Sequence, residues 1–350
     1  MKLERIADLA PFDAVIDVRS PSEFAEDRVP GAINLPVLSD AQRAEVGTIY
    51  TRLDRFTARR IGAAHVARNT ATHVEGPLAG HGGGWRPLVY CWRGGMRSGA
   101  FATILREIGW RAEVLEGGYR SWRRLVSAAL YDGELPHRLV VLDGNTGTAK
   151  TAILNAVAAG GGQALDLEGL AAHRGSVFGA VAGGQPAQKG FESALAAALD
   201  GLDPLLPTLV EAESSRIGEI TVPPALWRAM RAAPRIAVSA SLETRAAYLA
   251  RAYGDVTVDA EALRARIEAL APLQPRARVD EWHALAQAGA FEALAGRLMA
   301  EHYDARYAKG TMREGARAAV TVPLEGPGEG DIARAAARVA EAMGGLQKTM

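Results

Sequence analysis

One cysteine, Cys91, in 350 residues excludes an internal disulfide framework. The seven histidines show no metal-ligand spacing, so no structural metal is expected. Net charge is absent too, with 40 basic and 40 acidic residues, which argues against a chain that is strongly basic throughout. No apolar run approaches the roughly 20 residues that cross a bilayer, and Met1-Lys-Leu-Glu-Arg5 lacks the apolar core of a secretory signal. The expected location is the cytoplasm, with no membrane partner. What remains is an ordinary globular composition, 48% hydrophobic and 23% charged, long enough for two domains with a core each.

The charge balance hides a local excess. Residues 43–68 carry Arg43, Arg52, Arg55, Arg59, Arg60 and Arg68 against only Glu45 and Asp54. Arginine supplies 35 of the 40 basic residues, the type suited to forked phosphate contacts and base stacking. Taken alone, the stretch reads as solvated helix faces; beside the motifs below, it becomes a candidate RNA-facing surface.

Cys91 lies in Tyr90-Cys91-Trp92-Arg93-Gly94-Gly95-Met96-Arg97-Ser98, between the strand-like run 86–90 and a helix-like run 98–108. Two glycines let such a loop curl its N–H groups inward, and Arg93, Arg97 and the helix start favour an anion. These surroundings lower a thiol's pKa and make it a nucleophile. Ala14–Val18 reads as a buried strand, followed by Asp17-Val-Arg-Ser-Pro-Ser-Glu-Phe24, Val29-Pro-Gly-Ala-Ile-Asn-Leu-Pro36 and Leu115-Glu-Gly-Gly-Tyr-Arg-Ser-Trp122. Strands alternating with helices imply an α/β unit with a parallel sheet over residues 1–133, with an arginine-rich insert at about 37–86. In this order the four stretches resemble the signatures of a rhodanese domain. The resemblance implies a chalcogen carrier in which Cys91 takes sulfur or selenium, with Arg93 and Arg97 beside it. Arg28 stands where many rhodanese domains have histidine.

A second unit, at 137–345, opens on the strand 138–142 and Asp143-Gly144-Asn145-Thr146-Gly147-Thr148-Ala149-Lys150-Thr151, leading into a helix. Strand, glycine-bearing loop, Lys-Thr and helix are the context of a P-loop: N–H groups around phosphates, Lys150 as a point charge, Thr151 placed for Mg²⁺. Ala149 replaces the second glycine of the usual pattern, and strains the backbone if that position takes a positive φ. Residues 164–168 read as the next strand, and 208–218 as a strand carrying Glu211 and Glu213, placed to hold Mg²⁺ or its waters. Pro224–Ala232 and Glu243–Tyr253 read as helices, Arg235–Ser239 as a strand, 259–303 as a helical region, 318–322 as a late strand and 331–343 as a closing helix.

The pairing of a rhodanese unit with this P-loop unit resembles the tRNA 2-selenouridine synthases. The matching stretches are the Cys91 loop, 144–151, His173-Arg174-Gly-Ser176 with Phe178-Gly179, Gln185-Pro186, Phe191-Glu192, Glu211-x-Glu213-Ser214 with Arg216-Ile-Gly218, and Tyr303-Asp304 with Tyr307. The resemblance implies an enzyme that exchanges the sulfur of wobble 2-thiouridine in tRNA for selenium from selenophosphate. It does so through an S-geranyl intermediate made from geranyl diphosphate, with a selenophosphate-producing enzyme as a further partner. It implies phosphate contacts from residues 144–151, supporting or substrate roles for Arg174, Ser176, Glu211, Glu213, Ser214 and Arg216, and tRNA contacts from Arg52, Arg55, Arg59 and Arg60. No tightly bound cofactor is expected. Two rivals stay open: an ATP-dependent sulfurtransferase or small-molecule kinase with a rhodanese carrier, and a catalytically idle scaffold.

Overall fold

The computed structural model describes residues 1–176, 178–305 and 318–347. The chain divides into two compact units: Met1–Gly133 with Pro186–Gly201, and Glu134–Gln185 with Leu202–Met350. Both are α/β with parallel sheets, the class expected.

The first unit begins with β1 (Ala14–Asp17), α1 (Pro21–Glu26), β2 (Ile33–Asn34), and the insert helices α2 (Asp40–Arg52) and α3 (Arg55–Glu75). It continues through β3 (Pro87–Tyr90), α4 (Met96–Ile108), β4 (Glu113–Val114) and α5 (Tyr119–Tyr131). Its sheet runs in the order β2-β1-β3-β4, and every residue of β3 is buried, as a central parallel strand covered on both faces requires. The insert starts cleanly because Ser39 and Gln42 form a reciprocal capping box on α2, while Asp54 accepts from the Phe56 and Thr57 N–H groups at the start of α3.

The second unit runs β5 (Arg138–Asp143), α6 (Lys150–Ala159), β6 (Gln163–Leu165), α7 (Leu167–Leu170). The chain then contributes α8 (Gln188–Asp200) to the first unit. There Trp122 Nε1 donates to Ser193 Oγ at 2.9 Å, Arg123 Nη2 to Glu192 Oε2 at 2.5 Å and Tyr131 Oη to Glu192 Oε1 at 2.6 Å. After α8 come β7 (Pro207–Glu211), β8 (Arg216–Ile217), β9 (Ile220–Thr221), α9 (Pro224–Ala232), β10 (Arg235–Ser239) and α10 (Leu242–Ala252). The last elements are α11 (Gly254–Val258), α12 (Ala260–Glu268), α13 (Arg276–Gln287), α14 (Phe291–Leu298), a π-helical turn at Met299–Tyr303, β11 (Val320–Pro323) and α15 (Glu329–Gln347). The sheet order is β11-β10-β5-β7-β6. The helical region around α12 and α13 has its own core around Trp282, Val279, Ile267 and Leu263.

Two local expectations fail for identifiable reasons. The strand read at 164–168 stops at Leu165, because Asp166 caps α7 by accepting from the Gly169 N–H at 2.6 Å. Glu168 is therefore helical. The strand read at 208–218 ends at Glu211, and Arg216–Ile217 instead pairs back on Ile220–Thr221 as an antiparallel hairpin.

Candidate functional site

Cys91 directly follows β3 and sits 4% exposed at the turn into α4. Gly94 has φ +64, and a Cβ there would collide with the Leu115 carbonyl; only glycine lets the 115–118 turn close over the loop. The Tyr119 N–H donates to the Cys91 carbonyl at 2.8 Å and fixes that approach. Burial opposes the thiolate, but the Ser98 hydroxyl, 3.2 Å from Sγ, and the N–H groups of Ser98, Gly95 and Arg93 outweigh it and lower the Cys91 pKa. The thiol is thus buried yet activated, by donors the loop supplies rather than by a nearby guanidinium. Arg97 donates to Glu23 Oε2 at 3.0 Å and Arg43 lies 3.8 Å from the same oxygen, so much of the positive field read from the sequence is compensated. Arg93 is exposed.

The insert builds a wall for this thiol. A groove of about 1030 Å³ is lined by Cys91, Arg93 and Arg97 on one side and by Arg43, Tyr50 and Arg59 of the insert helices on the other. Of the four arginines expected to contact tRNA, Arg59 lines the groove. Arg52, Arg55 and Arg60 are exposed on the same helices outside its lining.

In the second unit, Gly144–Ala149 links β5 to α6. Ala149 takes φ 56 and ψ 31, the left-handed conformation for which glycine is usual at this position. Thr148 donates through its N–H and Oγ to the Asn145 carbonyl at 3.2 and 2.8 Å. Lys150 Nζ rests on the Gly144 carbonyl at 2.9 Å. Lys150 and Thr151 open α6, whose first N–H groups have no intrahelical partner. Arg245 of α10, only 6% exposed, holds Asp304 with two bonds of 2.8 Å and also donates to the Thr146 carbonyl at 3.2 Å. Asn145 Nδ2 reaches Asp304 as well, at 3.0 Å. The phosphate loop is thereby braced from its C-terminal neighbours. Sequence patterns miss Arg245 because nothing local marks it; it lies 99 residues beyond Thr146.

The acidic residues gather behind this loop. Thr151 Oγ1 donates to Glu168 Oε2 at 2.9 Å. Burial, then the Glu168 carboxylate, push the Glu213 pKa up to about 8, while Lys150 pulls the other way. Burial raises Glu211 well above its ordinary value, with Asp166 and Glu168 adding to it. Among the described residues no three His, Cys, Asp or Glu side chains converge as metal ligands. Ser214 Oγ donates to the Arg216 carbonyl at 2.5 Å. Arg216 is exposed in the hairpin, without an ion pair among the described residues.

The Arg174 guanidinium lies 4.8 Å from the Tyr253 ring centroid. Ser176 and Thr146 sit at the polar margin of a cavity of about 80 Å³ whose other walls include Phe178, Leu249, Tyr253 and Phe291. The phosphate loop therefore borders an almost wholly apolar cavity. Tyr307 lies outside the described residues. No helix among the described residues is long and apolar enough to cross a membrane.

Comparison with known proteins follows the same division. A rhodanese-like domain profile matches residues 2–125, and the profile of the tRNA 2-selenouridine synthase AAA domain matches residues 137–274. The chain is 39% identical over 253 residues to a tRNA 2-selenouridine synthase of Hahella chejuensis, covering 68% of this chain and 63% of that protein. It therefore spans less than two thirds of that relative's length. The synthase of Nitrosomonas europaea is 32% identical over 293 residues, covering 82% of this chain and 75% of its own. That of Cupriavidus necator is 36% identical over 331 residues, covering 84% and 87%. With both halves matched in order and most of two relatives spanned, the chain belongs to the tRNA 2-selenouridine synthase family.

Proposed function

We propose that the protein converts the wobble 2-thiouridine of tRNA to 2-selenouridine in two steps, using geranyl diphosphate and then selenophosphate. The observation that carries this reading is the meeting of the phosphate loop with the apolar cavity at Thr146. A diphosphate on the loop leaves the first carbons of an attached isoprenoid chain against hydrocarbon walls, and the cavity of about 80 Å³ must widen to take the whole chain.

In the first step the thiocarbonyl sulfur bonds to C1 of the geranyl chain. The C1–O bond breaks, diphosphate leaves with the electron pair, and the uracil N3 proton is lost. Lys150 and the α6 N–H groups stabilise the charge on the departing diphosphate. In the second step selenium bonds to C2 while its bond to phosphorus breaks as water adds there, leaving phosphate; the C2–S bond breaks, geranyl thiol departs with a proton, and N3 regains one. Alkylation matters because it turns a poor leaving group into a thiol. Cys91 handles selenium in this half. A perselenide on Cys91 would form from selenophosphate only with a two-electron oxidant, so Cys91 acts in this step with selenium kept at the selenide level throughout.

The test is mass spectrometry of tRNA nucleosides after incubation with both donors. Cys91→Ser is expected to abolish selenouridine while S-geranyl-2-thiouridine still forms, and Lys150→Ala to suppress the geranyl product. Selenouridine at the normal rate from Cys91→Ser protein sinks the role of the thiol. ATP hydrolysis without either product would favour the nucleotide-driven alternative.

A further inference from the structure

Helix α2 packs on α3 through a half-buried stripe, Gln42, Val46 and Ile49, and none of its thirteen residues is fully buried. At its junction with α3, Tyr50, Leu53 and Phe56 stand 45, 78 and 73% exposed. Arg52, Arg55, Arg59 and Arg60 stand near them on the same two helices, none with a carboxylate within 4.0 Å among the described residues. The nearby acids are otherwise engaged: Asp54 caps α3, and Glu45 faces His65 at 3.3 Å. The Arg55 guanidinium lies 5.5 Å from the Tyr50 ring centroid. Tyr50 and Arg59 also line the groove that contains Cys91.

Exposed rings interleaved with uncompensated guanidinium groups are matched by one kind of partner in particular. Single-stranded RNA offers a flat base for each ring and a phosphate for each arginine. An acidic protein would satisfy the arginines, but would use Leu53 as readily as its aromatic neighbours. We infer that the α2–α3 corner is a stacking platform for unpaired RNA bases, with Tyr50 and Phe56 as its rings, which lays the reacting nucleotide into the groove leading to Cys91. This deepens the proposed function and rests on its RNA substrate.

The test is fluorescence anisotropy with a labelled RNA hairpin bearing an unpaired loop, beside a fully duplexed RNA. The side chains are exposed, so the Tyr50→Ala/Phe56→Ala variant should keep its fold, checked by circular dichroism. It should bind the hairpin on the order of tenfold or more weakly, with duplex affinity unchanged. Leu53→Ser should bind both RNAs as the natural protein does. Undiminished hairpin affinity in the double variant overturns the platform. An equal loss in Leu53→Ser also overturns it and points to an apolar docking face. Binding is read without turnover, so hairpin recognition through Tyr50 and Phe56 in a protein that makes no selenouridine sinks the reaction and leaves the platform standing. Selenouridine formation with unaltered affinity in the double variant sinks only the platform.

Discussion

Replacing Ala149 with glycine separates backbone strain from packing at the phosphate loop. Ala149 already holds φ 56, ψ 31, a conformation that costs an L-residue about 1–2 kcal/mol. Glycine removes that cost. It also deletes a methyl group that is 4% exposed and packed in the core with Ile153 and Val238, worth about 0.8 kcal/mol. It further loosens the unfolded chain by about 0.4–1 kcal/mol. The three contributions nearly cancel, so urea unfolding should place Ala149→Gly within about 1 kcal/mol of the natural protein. Because alanine already adopts the backbone the loop needs, diphosphate affinity should change by no more than about twofold, equivalent to roughly 0.4 kcal/mol. Gly147→Ala is the contrast. Its φ is +88, and an added Cβ would lie 2.9 Å from Arg245 Cβ and 3.0 Å from the Arg245 carbonyl oxygen, so a loss of about 2 kcal/mol or more is expected. A gain above about 2 kcal/mol in Ala149→Gly, or a harmless Gly147→Ala, would refute this account of the loop.

Two further outcomes follow from titrating groups. Ser98→Ala removes a hydroxyl bonded to Cys91 Sγ, so the pH midpoint for alkylation by iodoacetamide should rise; an unmoved midpoint would show that the N–H groups suffice. Glu213 keeps its proton up to about 8 against an ordinary 4.5, so the folded protein binds a proton the unfolded chain has released. Its stabilising share is full below 4.5 and fades as pH rises towards 8. Glu213→Gln should flatten that decline in urea unfolding, leaving the share of Glu211, which is shifted the same way. An unchanged slope would mean that Glu213 is ionised throughout.

Much of this was legible in the chain because local chemistry fixed it. Arg235–Ser239 and Pro224–Ala232 fall where they were read, since a short apolar run and a proline start leave few alternatives. The Cys91 loop and the 144–151 loop announce themselves through glycine, lysine and flanking strand and helix. Ala149 was read as strained if its position takes a positive φ, and the structure gives it one. Other features depend on distant partners and leave no local trace. Nothing around Arg97 indicates that Glu23, 74 residues away, takes up its charge. Nothing around Thr146 indicates Arg245 and Asp304. The apolar cavity draws its walls from α10 and α14 as well as from Ser176 and Phe178, a convergence that periodicity cannot reveal.

Helix α8 has a genetic consequence. The chain passes from one unit to the other after residues 133, 185 and 201, so no single cut releases an intact half. A fragment ending at Gly133 would lack the partners of Trp122, Arg123 and Tyr131 and would bare the face that Phe191 and Leu195 cover. Recombination that exchanged either half as one block would leave a hole in one product and a stray helix in the other. The two halves of this gene are constrained to be inherited together.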